Sequence, residues 1–74
     1  MHIIVKAPLK TDDIQQLLDG YTSEGLTFRF ESRKGFEMTY EVLGESTADA
    51  ADMAKSLIRS TDYGKALYIS VLKK

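Results

Sequence analysis

Few residues of this chain could do chemistry. His2 is the only histidine, and no cysteine is present, so thiolate metal sites and disulfides are excluded. A general base or a zinc site needs an imidazole with partners. His2 stands beside the start of a strand with no such partner near it in sequence, and reads as surface. Asp12 and Asp13 are paired, but they open a helix, where the helix dipole and solvation explain them. Glu37 and Glu41 share one face of a strand. A flat sheet offers them no cleft to shift either pKa, so they read as a solvated face. Neither a Ser–His–Asp arrangement nor a Gly-rich phosphate loop can be assembled. The chain is therefore expected to be non-catalytic and to carry no cofactor and no metal.

Basic residues offer a second chemistry. Lys6, Lys10, Arg33, Lys34, Arg59 and Lys65 are six of the ten Lys and Arg residues. They fall in segments that the topology derived below gathers at one end of the domain. The N-terminus of the first helix points the same way, so its free amides could help to hold an anion. A phosphorylated metabolite or a nucleic acid is the ligand class this implies. Asp12, Asp13 and Asp62 sit at that end too.

The stretch FRFESRKGFEMTYE, residues 28–41, tests the nucleic-acid reading. KGF is how the third strand of an RNA-recognition motif begins, and that motif stacks bases on aromatics of its open sheet face. Here the face assignment runs the other way. Leu26, Phe28 and Phe30 alternate with Thr27, Arg29 and Glu31, while Phe36, Met38, Tyr40 and Val42 alternate with Glu37, Thr39 and Glu41. A bulged hairpin turn at Arg33-Lys34-Gly35 sets Ser32 opposite Phe36, Phe30 opposite Met38, Phe28 opposite Tyr40, Leu26 opposite Val42 and Arg29 opposite Thr39. All the large apolar side chains then share the face that helices must cover. The open face shows glutamates, which repel phosphate and offer no stacking surface. RNA binding by this sheet is not expected.

These residues are positioned by six elements. Ile3–Lys6 reads as a strand, ended by Pro8. Ile14, Leu17, Leu18 and Tyr21 mark one face of a helix, with Thr11 or Asp12 as cap and Gly25 as stop. The two strands of the hairpin follow. Ala50, Met53, Ala54, Leu57 and Ile58 form the buried stripe of a second helix, capped by Ser46 or Thr47, with Asp49 in its first turn. ALYISVLKK, residues 66–74, closes the chain as a strand with Leu67, Ile69 and Val71 on one face. The order βαββαβ predicts an α+β, ferredoxin-like split-βαβ sandwich. Its sheet would be four-stranded and antiparallel, in order 4-1-3-2, with both helices on one face.

With 74 residues and a net charge of −1, the chain forms one domain and lacks a general attraction for nucleic acid. No leader and no membrane span is read in it, so the expected location is cytoplasmic. The last strand lies at the sheet edge and is apolar on both faces. Ile4, Tyr68 and Leu72 leave an apolar patch beside that edge, which invites another chain. The leading expectation is an association module, a homodimer or a docked protein partner. An anion binder at the basic end is the alternative.

Overall fold

The computed structural model describes residues 1–45 and 49–74. The elements are β1 (His2–Lys6), α1 (Thr11–Leu18), β2 (Thr22–Ser23), β3 (Leu26–Lys34), β4 (Glu37–Gly44), α2 (Ala50–Arg59) and β5 (Ser70–Lys73). They make an α+β fold with two helices and an antiparallel sheet in the order β2-β3-β4-β1-β5. The sheet thus has five strands rather than the expected four, because the chain after α1 turns back on itself before entering β3.

That extra strand comes from glycine. Gly20, with φ 82°, ends α1 at Leu18, well before Gly25. Glu24 and Gly25, at φ 51° and 82°, then form a two-residue turn with the positive angles of type I′, which joins β2 to β3. Tyr21 therefore lies beyond the helix, yet its ring still packs 6.0 Å from that of Phe28. The edge of β3 is closed from Leu26 to Phe30. The Phe28 amide donates to the Tyr21 carbonyl at 2.8 Å, and the Phe30 amide donates to the Asp19 carboxylate at 3.1 Å.

The β3–β4 hairpin differs from expectation in its turn. Lys34 pairs with Glu37, so the loop is Gly35-Phe36, with Gly35 at φ 62°. A two-residue loop with Gly first gives a primed turn, whose twist matches that of the flanking strands. Continued without interruption, this register would set Phe28 and Phe30 on the face opposite to Met38 and Tyr40. A β-bulge between Phe30 and Ser32 absorbs one residue and restores the match. Phe30 then lies opposite Tyr40, Phe28 opposite Val42, Leu26 opposite Gly44 and Arg29 opposite Glu41. Each of these pairings is two residues from the expected one, and parity is kept. Phe36 is the casualty: it sits in the turn, 55% exposed.

One core forms between the sheet and the helices. Ile3, Val5, Phe28, Met38 and Tyr40 are fully buried, together with Ile14 and Leu18 of α1 and Ala54 and Ile58 of α2. Asp49 caps α2, accepting from the Ala51 and Asp52 amides at 3.0 and 3.3 Å, rather than lying in its first turn. The caps expected at Ser46 or Thr47 lie outside the described residues. Lys73 reaches Asp49 at 3.0 Å; with the amide bonds, it holds that carboxyl below its usual range.

The closing strand is shorter than expected. Residues 61–67 form turns and bends, and only Ser70–Lys73 pair, antiparallel to β1. Gly64 explains why the chain is held back. It packs on the end of α2, where an added Cβ would meet the Ile58 carbonyl oxygen at 1.7 Å, and its amide donates to Thr61 Oγ1 at 2.9 Å.

Tyr40 gives this core a pH-sensitive feature. Its hydroxyl shares its proton between the Ile14 and Gln15 carbonyls at 3.4 and 3.3 Å. Burial, reinforced by the Asp19 charge, pushes the phenol well above its ordinary value. The unfolded chain ionises first, at about pH 10, so the folded state holds the proton longer. Stability is unaffected below that point and falls as pH rises beyond it, on the order of 1 kcal/mol per pH unit. Urea midpoints measured between pH 9 and 12 (roughly the window of the unfolded phenol) should fall more steeply for the wild type than for Tyr40→Phe. Parallel slopes would mean that the hydroxyl reaches water.

Candidate functional site

The open face of the sheet carries rows of charge fixed by strand register. Arg29, Glu41 and His2 lie side by side across β3, β4 and β1. The Arg29 guanidinium donates to Glu41 Oε1. Glu31, set free by the bulge, reaches over β4, and its Oε2 lies 2.9 Å from His2 Nε2. His2 is therefore not the isolated surface residue that its sequence neighbours suggest. Its partners come from two other strands, 29 and 39 positions away. Register alone could have paired His2 with Glu41, but the bulge that aims Glu31 leaves no local signature.

A ring nitrogen of His2 and carboxylate oxygens of Glu31 and Glu41 lie within 4.8 Å of one another. Among the described residues this is the group that could hold a metal ion.

A second row crosses the same face at the other end of β1. Lys34 lies opposite Glu37, Glu37 opposite Lys6, and Lys6 opposite Ser70. The Ala7 amide donates to the Phe36 carbonyl at 3.0 Å, so the exit of β1 and the β3–β4 turn are joined here. Of the six basic residues, Lys6 and Lys34 flank the Glu37 position. Arg33 is bound to the Asp12 carboxylate and also donates to the Gly35 carbonyl at 3.2 Å. Lys10 stands exposed at the cap position of α1 with φ 58°, and it makes no side-chain capping bond. Arg59 ends α2 and Lys65 lies in the turns after it, both exposed. Charge at this end is thus shared with acids, and exposed Leu9 and Phe36 lie beside it.

The apolar edge lies along β5. Leu72 sits opposite Ile4 on the open face. Ile4 is half-buried, Leu72 is 48% exposed, and Tyr68 is 87% exposed. Tyr68 precedes the strand rather than belonging to it.

A shallow groove of about 540 Å³ runs beside α2, floored by half-buried Met53 and Leu57 and rimmed by Glu24, Asp49 and Asp52. Its lining holds no base beside a nucleophile, and Asp49 is already engaged as cap and by Lys73.

No helix among the described residues is long and apolar enough to cross a membrane. Compared with known proteins, the chain matches no protein-family model, no curated protein and no solved structure.

Proposed function

We propose that this chain is a ferredoxin-like association module that forms a symmetric dimer through the outer edge of β5 and the adjoining open face. Support for the fold name comes from the four longer strands, whose order β3-β4-β1-β5 is that of the ferredoxin-like sheet once the two-residue β2 is set aside. The observation that carries the function is the exposure of Tyr68, 87%, and Leu72, 48%, beside the outermost strand. The opposite edge of the sheet is blunted as far as Phe30 by the Asp19–Ser23 segment, and beyond it β3 presents charged Arg33 and Lys34, so the apolar β5 edge is the better match for another chain.

This edge is self-complementary. A two-fold axis through Ser70, perpendicular to the sheet, keeps the helices of both copies on one side. Antiparallel pairing, which draws residues 67–69 into the strand, then sets Tyr68 opposite Leu72 of the partner subunit and Ile69 opposite Val71 of the partner subunit. Lys73 falls opposite Leu67 of the partner subunit, so no like charges meet directly across the interface.

Sedimentation equilibrium is expected to give a dimer mass for the wild type. Tyr68→Lys and Leu72→Lys should give a monomer mass with unchanged circular dichroism, because neither side chain belongs to the core. Ser70→Cys tests the register. It introduces the only thiol of the chain at the axis. Opposed antiparallel residues lie about 4.5–5.5 Å apart at Cα, within disulfide reach, so mild oxidation should link two chains. A monomer mass for the wild type at millimolar concentration would end the proposal.

A further inference from the structure

We propose that His2, Glu31 and Glu41 form a binding site for one divalent transition-metal ion of the zinc class. The three donors come from three adjacent strands, so the sheet fixes their Cα positions and only rotamers need to adjust. Their ligand atoms lie within 4.8 Å of one another. Two donors on one zinc ion, at bonds of about 2.0–2.1 Å, sit roughly 3.3 Å apart at the tetrahedral angle. Glutamate side chains can close that difference.

Each donor has an orbital to give. Arg29 occupies Oε1 of Glu41, leaving Oε2 free. A ligating carboxylate held by such an outer partner is the usual arrangement at metal sites. Glu31 Oε2 accepts from the His2 ring nitrogen in the metal-free protein. An ion entering between them takes the place of that proton: a neutral imidazole carries it on Nδ1 instead, and an imidazolium releases it to solvent.

The donor set selects the metal. One imidazole nitrogen with two carboxylate oxygens suits zinc, cobalt or nickel, whereas magnesium and calcium favour all-oxygen shells. Two carboxylates offset the charge of a divalent ion, with Arg29 leaving a net charge of about +1 at the filled site. Three protein ligands leave at least one position for water. The cluster lies on the open face and does not include Tyr68 or Leu72, so the proposal stands apart from dimerisation.

The test is calorimetric titration of untagged protein with zinc chloride, repeated with cobalt to read its visible bands. One ion per chain is expected, with magnesium unable to compete at equal concentration. Losing an outer-sphere partner costs about 10-fold to 100-fold in metal affinity, and losing a direct ligand should cost at least as much. His2→Ala and the double variant Glu31→Gln/Glu41→Gln should therefore each lose at least about 10-fold in affinity. Leu72→Lys should bind like the wild type. Circular dichroism identifies any variant that has unfolded, and Glu41→Gln alone then serves in place of the double change. Absence of saturable binding overturns the proposal. So does unchanged affinity in the carboxylate variants, which would place the ion away from this cluster.

Discussion

Gly44→Ala is expected to lose about 2–5 kcal/mol of stability, the largest loss of any glycine substitution in the β-sheet turns. Gly44 closes β4 opposite Leu26 and has φ 106°, a conformation open in practice to glycine alone. An added Cβ would stand 2.0 Å from the carbonyl oxygen of Gly25 and 3.2 Å from its carbonyl carbon. The obstacle is backbone, and the backbone of the tight turn that starts β3, so it cannot rotate away. Left-handed strain costs about 1–2 kcal/mol and forced overpacking about 1–3 kcal/mol more. A domain of this length holds roughly 4–11 kcal/mol in total. Gly20→Ala is the control. It shares the positive φ, 82°, but has nothing within 4 Å of the new methyl. It should cost only the backbone strain, about 1–2 kcal/mol. Urea unfolding of both variants decides the matter. Equal losses would mean that the contact with Gly25 is not made.

What could be read from the sequence was decided by periodicity, and what could not was decided by single residues. The alternation through residues 26–30 and 38–42 placed Leu26, Phe28, Met38, Tyr40 and Val42 on the covered face, and all five are buried. The stripe Ala50, Met53, Ala54, Leu57 and Ile58 marked α2 in the same way; Ala50, Ala54 and Ile58 are buried, and Met53 and Leu57 are half-buried. Such patterns spread the signal over many side chains, so one misjudged residue does not erase it. Turns have no such redundancy. Gly20 and Gly25 are both glycines after a helical stripe, and only the tertiary pairing of residues 20–23 with β3 distinguishes the helix stop from the hairpin turn. The last strand failed for a related reason. ALYISVL has strand composition throughout, but Gly64 must pack on α2, and that packing delays pairing with β1 until Ser70. The donor cluster was least legible of all. It depends on a bulge, which changes the aim of Glu31 without changing the composition around it.

The three phenylalanines turn that bulge into a measurement. Phe28, Phe30 and Phe36 lie along a single hairpin, and a regular register with a longer turn would bury all three under the helices. In the bulged register their environments separate. Phe28 is fully buried and packs against Tyr21. Phe30 is half-buried, its ring edge-on to Tyr40 at 5.7 Å. Phe36 stands in the turn, 55% exposed. Phe28→Ala removes a whole buried ring and should cost about 3–5 kcal/mol, a large share of what holds so small a domain together. Phe30→Ala loses one face of contact and the aromatic pair, and should cost about half as much, roughly 1.5–2.5 kcal/mol. Phe36→Ala should stay within about 0.5 kcal/mol of the wild type, as surface substitutions do. Chemical denaturation of the three variants in one buffer gives the ranking directly. A Phe36→Ala loss comparable to that of Phe28→Ala would place Phe36 beneath the helices. The two-residue turn would then be wrong, and so would the bulge that carries Glu31 to His2.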